Sequence, residues 1–404
     1  MKRIIFPILL LALAAACSEP QADKKQPTDT KTDSTHTTTA GASQPAVAAD
    51  PYWNELACLL AGLPQPEGSS LAALASSPGA QQHSRYFEQG WPGQEAKFVQ
   101  PLTQWAAQEL PEAHKSTHTV YYPFSGADFM AIQSVYPHAE KYVLFGLEPE
   151  GDAIDIRKMD AARLAANLAN VQKSLYAILS WSFFRTNDMT VDFRRAELNG
   201  TLPVLLAFMA RTGHEVLQVR RIQLSPNGEV QPIPAGSDPE MSVAGKGLVT
   251  GNQIFFRKTG QKAVQQLQYF SVDVSDANIQ KEQGFLPYLT GLNPAHTYVK
   301  AASYLMYKSY FHLIKDKTLE ISQVYVQDDS GMPIRMLDTT HWDLQYYGAY
   351  SRPIALFSNY FQQDLWDIYN QKKQAKPLEF GTGYQFRKGT SNMMIARKKA
   401  ATTR

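Results

Sequence analysis

The turn Pro123-Phe124-Ser125-Gly126-Ala127-Asp128 holds the residues of this chain best placed to do chemistry. It follows a short β-type run, Thr119-Val120-Tyr121-Tyr122, and precedes a stretch from Asp128 to Val135 that reads as a helix ended by Tyr136-Pro137. A second apolar run, Lys141 to Leu147, ends at Glu148-Pro149. Strand, tight turn, helix and strand make a βαβ unit, which implies a parallel sheet. In such sheets ligands collect beyond the carboxyl ends of the strands, beside helix N-termini. Ser125 and Asp128 are then placed to cap the helix and face that crevice. Gly126 lets the backbone approach a ligand, and Glu148 stands at the end of the next strand. A plain helix N-cap with Glu148 in solvent fits the same residues and is the commoner use of such a turn.

A second acidic turn is Gln327-Asp328-Asp329-Ser330-Gly331. Neighbouring side chains on a strand point to opposite faces, so Asp328 and Asp329 share one ligand only if the chain has already turned. A simple Asp/Ser/Gly turn is the first expectation, and no calcium-loop spacing accompanies it. His114 and His118 are four apart but straddle a helix-to-strand junction. Neither a His-Glu-x-x-His pair nor a Cys/His quartet supports zinc. A Gly-x-Ser-x-Gly elbow and a Walker loop are both missing, and Gly245-Lys246-Gly247 lacks the Walker spacing. No metal and no cofactor is therefore expected. Aromatic residues crowd the last third: Tyr304, Tyr307 and Phe311 fall on one helical stripe, most simply core. The segment from His341 to Tyr350 reads as a loop that could line an aromatic groove for glycan or peptide, with core packing again the simpler use.

Around these turns the chain reads as α/β or α+β, with a Rossmann-like βαβ start, a mixed sheet and an inserted antiparallel β region. Residues 52–62 and 94–110 are predicted helices. Leu164, Leu168, Val171, Leu175, Ile178 and Trp181 recur at helical spacing and predict a helix ending near Arg185. Leu202 to Arg211 predicts another, stopped by Gly213. From Glu215 to about Asp273 the pattern turns to β, with 216–222, 252–257 and 264–274 as strands and 225–251 as loop; residues 214–275 form an insertion or an extension of the first sheet. Beyond it, Thr297 to Lys315 predicts a helix, Leu319 to Gln327 runs into a strand, and Gln362 to Lys373 is helical. Residues 383–387 and 392–397 suggest a closing hairpin. No internal repeat is visible.

The N-terminus carries an address. Lys2 and Arg3 precede an apolar run from Ile4 to Ala16, and Leu13-Ala14-Ala15-Ala16-Cys17 is a lipobox. Residues 1–16 are expected to be a lipoprotein signal peptide, with Cys17 acylated after cleavage. The run is too short to span a bilayer, which takes about 20 apolar residues. Two or more acyl chains on Cys17 would anchor stably. Ser18, rather than an acid, follows the cysteine, and by resemblance to enterobacterial sorting this leans to the outer membrane. Residues 17–50 hold almost no large apolar side chain and predict a disordered tether; roughly 32 residues of flexible chain span about 30 Å. Residues 51–404 predict one globular α/β domain.

Composition agrees with a buried core: 44% of the chain is hydrophobic and 11% aromatic. The net charge of +2 points away from a nucleic-acid partner. With Cys17 acylated, Cys58 has no intramolecular partner and reads as a small core residue.

Glu148 lies about twenty residues beyond the first turn, where nucleotide-binding Rossmann folds hold an acid for a ribose hydroxyl. The arrangement resembles the first motif of the class-I methyltransferases, yet the turn lacks their G-x-G glycines, and an exported protein meets no such cofactor pool. Tyr122-Pro123-Phe124-Ser125-Gly126, Leu144 to Pro149, Gln327 to Gly331, Phe380-Gly381-Thr382-Gly383-Tyr384 and Ser391-Asn392 together resemble an uncharacterised family of exported bacterial proteins, over most of residues 85–397. That resemblance implies no activity and supplies no catalytic residues. The expected function is a lipid-anchored envelope protein that binds or scaffolds a glycan, peptide or protein. The alternative is an enzyme with Ser125, Asp128, Glu148 and Asp328 around one crevice.

Overall fold

The computed structural model describes residues 47–181, 197–234 and 248–400. The signal segment, Cys17 and nearly all of the tether lie outside the described residues. So do the expected helix end near Arg185 and Gly245-Lys246-Gly247.

The fold is a mixed α/β structure built on one ten-stranded sheet. Its strands are β1 (Val120–Tyr122), β2 (Lys141–Gly146), β3 (His214–Leu224), β4 (Val230–Pro232), β5 (Thr250–Lys258), β6 (Gln265–Ser271), β7 (Ala295–Val299), β8 (Ser322–Gln327), β9 (Trp342–Gly348) and β10 (Asn392–Lys398). Across the sheet the order is β4-β3-β5-β6-β2-β1-β7-β8-β10-β9. The five central strands, β6-β2-β1-β7-β8, run parallel. The region from 214 to 275 extends this sheet: β5 lies antiparallel on β6, β3 on β5 and β4 on β3. At the other edge β10 lies antiparallel between β8 and β9.

β1 and β2, at the middle of the sheet, are almost wholly apolar because both faces are covered. Their alternate residues divide between two cores. Val120, Tyr122, Tyr142 and Leu144 face helices α1 (Pro51–Leu60), α2 (Pro78–Gln94), α3 (Gln100–Glu109), α4 (Phe129–Val135), α5 (Ala161–Trp181) and α6 (Leu202–Arg211). Tyr121, Val143 and Phe145 face a smaller core completed by Phe285, Leu289 and α7 (His312–Ile321). A five-residue π-helix, Glu95–Val99, joins α2 to α3. Pro101 follows it without an N–H to give, and Gln100 bonds back to the Glu95 carbonyl in the wide i→i+5 pattern. No described helix is long and apolar enough to cross a membrane.

Three local expectations change. The segment from Thr297 is no helix: Thr297, Tyr298 and Val299 are strand residues of β7, and Tyr304 has a left-handed backbone (φ 52) that no α-helix tolerates. Helix α7 begins only at His312, so Tyr304, Tyr307 and Phe311 share no helical stripe. The segment from Trp342 is no loop but strand β9, and β10 pairs with it rather than with residues 383–387. Those residues make a single 3-10 turn, Gly383–Gln385.

Candidate ligand-binding crevice at the switch in strand order

From β1 the chain moves to β2 and β6 on one side, then returns to place β7 and β8 on the other. The sheet therefore opens between the carboxyl ends of β1 and β7, the place where open α/β sheets take ligands. A cleft lies there, lined by the turn after β1 (Phe124, Ser125, Gly126, Asp128), the end of β2 (Gly146, Leu147, Glu148) and the turn after β7 (Lys300 to Ser303, Leu305). Four of the residues singled out in the sequence, Ser125, Gly126, Asp128 and Glu148, thus converge. Asp328 and Asp329 do not line it.

Asp128, not Ser125, caps α4: its Oδ1 accepts from the Ala131 amide at 3.3 Å. The Ser125 hydroxyl donates to the Gly126 carbonyl at 3.0 Å, and its amide donates to the Phe145 carbonyl at 3.0 Å, tying the turn to the end of β2. The other oxygen of Asp128 accepts from Tyr122 Oη at 2.8 Å and lies 2.8 Å from Lys300 Nζ. Both charged side chains are almost wholly buried, at 2% and 3% exposure. Lys300 also sits 5.0 Å from the centre of the Phe98 ring, which the π-helix presents. Burial, reinforced by Asp128, pushes the Tyr122 hydroxyl well above its ordinary pKa, so it stays a donor.

Glu148 is buried rather than solvated, at 4% exposure. Its carboxylate folds over Gly146. A Cβ there would stand 2.3 Å from Glu148 Oε2, and 3.4 Å from the Gly126 amide nitrogen. The backbone beyond Glu148 is fixed from the sheet extension. Tyr269 Oη donates to the Glu148 carbonyl at 3.0 Å, and Asn252 Nδ2 donates to the carbonyls of Glu150 and Gly151 at 2.9 Å. The inserted β region thus positions the end of β2.

The turn after β7 is the most constrained piece of backbone in the fold. Among the described residues five other than glycine have positive φ, and four of them border the cleft: Phe124 (59°), Ala301 (51°), Ser303 (51°) and Tyr304 (52°). Such residues cost on the order of 1–3 kcal/mol each and persist only where surroundings over-determine them. Here the surroundings are the acidic turn and the Phe380–Tyr384 segment. Asp328 Oδ2 accepts from the Ala301 amide at 2.9 Å, and Ser330 Oγ from the Ala302 amide at 2.8 Å. Tyr384 Oη accepts from the Ser303 amide at 3.0 Å and donates to the Ala301 carbonyl at 2.8 Å. The Tyr304 hydroxyl donates to Asp329, whose other oxygen accepts from Asn392 Nδ2 at 3.0 Å.

Asp328 and Asp329 therefore position the turn from behind the cleft. Burial and the neighbouring Asp329 raise Asp328 to about 7, and burial raises Asp329 as well. Gly383 makes this latch possible. At φ +64 a Cβ would lie 2.1 Å from Asp328 Oδ2. Gly383→Ala should cost about 2–4 kcal/mol through left-handed strain and overpacking, read as a lower urea midpoint. A loss below about 1 kcal/mol would show that the latch yields freely.

The two histidines singled out in the sequence take separate partners. A ring nitrogen of His114 lies 2.8 Å from the Val135 carbonyl, and one of His118 lies against Ser116 Oγ. No group of three possible metal ligands occurs among the described residues. Cys58 is half-buried on α1, with its thiol pushed up by burial. Most aromatics of the last third are core: Tyr304, Trp342, Tyr346, Tyr347 and Tyr350 are buried, while Tyr310 and Phe361 are exposed. Sequence reasoning missed Lys300, Phe98 and Tyr384 as members of this site. Lys300 and its turn were hidden inside a predicted helix, and nothing in the spacing couples Phe98 or Tyr384 to it.

Comparison of the chain with protein-family models, curated proteins and solved structures gives no match. The site is therefore read from its own geometry.

Proposed function

We propose that this is a lipid-anchored protein of the bacterial cell envelope whose globular domain binds a small polar ligand in the cleft between β1 and β7. The observation that carries the ligand reading is the convergence of Ser125, Gly126, Asp128, Glu148 and Lys300 on one cleft at the switch in strand order. The burial of most C-terminal aromatics moves the expected binding surface from that aromatic region to the cleft. The lipobox supports the anchor. Cys17→Ser should release the protein from the membrane fraction, and unchanged fractionation would sink the anchor reading.

The ligand reading is tested by thermal shift on the full chain in mild detergent, against a panel of sugars, nucleosides, amino acids, organic anions and amines. A ligand at a hundred times its Kd adds about 2.7 kcal/mol to the folded state. At least one compound should raise the melting temperature of the unaltered protein and lose that effect in Leu147→Arg. Leu147 is 55% exposed at the rim, so this change blocks the mouth without entering the core. If every compound leaves both proteins unmoved, the cleft is no binding site.

The left-handed residues beside the cleft favour a second reading, an enzyme using the same site, because backbone strain clusters where chemistry is done. Incubation of the bound compound with the protein, followed by mass spectrometry, separates the two: a changed mass supports the enzyme, an unchanged one simple binding.

A further inference from the structure

We propose that His118 and His296 form a two-histidine site for a late first-row divalent cation such as zinc, at the amino ends of β1 and β7. The cleft lies at the other ends of these strands, so the proposal stands apart from the ligand reading.

Strand pairing brings the two residues together. In the parallel β1–β7 ladder Val120 stands opposite His296, and the His296 amide donates to the Thr119 carbonyl at 2.9 Å. His118 immediately precedes Thr119, so the chain entering β1 carries its ring past the start of β7. The two ring centres lie 5.3 Å apart, with planes at 75°. Zn–N bonds of about 2.0–2.1 Å at a tetrahedral angle set the centres of two ligating imidazoles about 5 Å apart. The pair thus has the spacing of rings that share one ion. His114 and His138, at 6.5 Å, stand too far apart for that angle.

The polar groups point the same way. His296 is 7% exposed and stacked on Tyr136, and both its ring nitrogens are buried without a hydrogen-bond partner among the described residues. A neutral imidazole carries one donor and one acceptor, and a buried polar group left unmet calls for an explanation, a bound ion being one. His118 is exposed, so an ion reaches the pair from its side. Its Nδ1 lies 2.5 Å from Ser116 Oγ, which leaves Nε2 for the metal. An outer bond of this kind fixes the tautomer and ring of a ligating histidine. Imidazole suits zinc, copper and nickel, whereas magnesium and calcium take oxygen ligands. No group of three possible ligands occurs among the described residues, so water completes the shell and binding should be micromolar. So bound, the ion joins the chain entering β1 to the start of β7, the two strands whose far ends carry the cleft.

The experiment is isothermal titration of the full chain, in mild detergent and stripped of metal with a chelator, with zinc chloride and with magnesium chloride. The unaltered protein should take up zinc in the micromolar range and no magnesium. His118→Ala should weaken zinc binding about tenfold or more. His296→Phe, which keeps a ring on Tyr136, should do the same, while His138→Ala should leave binding unchanged. Circular dichroism confirms that the variants fold. If His296→Phe does not, His118→Ala decides alone, because its ring is exposed and carries no core packing. No zinc uptake by the unaltered protein, or uptake undiminished in His118→Ala, overturns the proposal. So does equal uptake of magnesium, which would place the ion on oxygen ligands elsewhere. None of these results bears on the cleft, whose own test stands separately.

Discussion

Lys300→Met should destabilise the domain by about 3–5 kcal/mol, the usual cost of removing one partner of a buried ion pair. The ammonium lies 2.8 Å from Asp128 Oδ2, with both side chains at 3% exposure or less. Without it, the Asp128 carboxylate keeps only Tyr122 Oη and the Ala131 amide of the partners described above, and stays buried with its charge poorly compensated. Methionine preserves the stem that packs near Phe98, so the loss isolates the charge. Asp128→Asn should be destabilising as well, because it removes a full negative charge 2.8 Å from the buried ammonium. The double variant Asp128→Asn/Lys300→Met should lose clearly less than the sum of the single losses, because each single change already removes the same Asp128–Lys300 interaction. Urea unfolding with a constant slope is the measurement. Additive losses, or a Lys300→Met loss under about 1 kcal/mol, would show that Asp128 is served well enough by other donors. The pair would then not be what holds the β1 and β7 turns together.

The part of the site built within one βαβ unit was legible in the sequence. Tyr122, the Ser125-Gly126 turn, α4 and β2 lie within thirty residues of one another, so local period and turn chemistry place them together. What joins that unit from a distance was not. Val299 and Lys300 lie in a stretch whose apolar residues also fit a helix, and only pairing with β1 and β8 selects the strand. The same holds for Trp342 to Gly348, whose neighbour β10 comes some fifty residues later. Asp328 was visible as an acidic turn, but its use was not, because beyond its own turn it binds the amide of Ala301, in a turn that only the fold defines. Glu148 shows the same limit from the other side. Its position at a strand end is written in the sequence. Its burial depends on Tyr269 and Asn252, more than a hundred residues on, fixing the backbone that follows it.

Stability against pH should be shallow in the unaltered protein because buried groups of opposite sign offset one another. Burial, helped by Lys258, lowers His214 to about 3, and burial with His118 lowers His296 to about 4. Both rings are nearly inaccessible, His214 set edge-on against Phe129 and Phe256, and His296 stacked on Tyr136. In the unfolded chain a histidine titrates near 6.5. The stability tied to keeping these two neutral is therefore complete above pH 6.5 and is lost as pH falls toward their folded values. At pH 5 each has cost about 2 kcal/mol. Asp328 acts the other way. Its folded pKa of about 7 exceeds the unfolded value near 3.9, so its contribution is complete at low pH and is lost as pH climbs to 7. Asp329 is raised beside it, so this loss belongs to the pair of carboxyls. The variants separate the two sets. His296→Phe, which keeps a ring stacked on Tyr136, should gain about 2 kcal/mol relative to the unaltered protein on going from pH 7.5 to 5. Asp328→Asn should lose stability relative to it over the same step. Urea midpoints at the two pH values read both differences. If His296→Phe shows no pH-dependent gain, His296 is protonated in the folded state and the buried-neutral account of this core is wrong. If Asp328→Asn shows no such loss, the proton taken up at pH 5 is not held by Asp328, and the turn after β7 is held by its full negative charge.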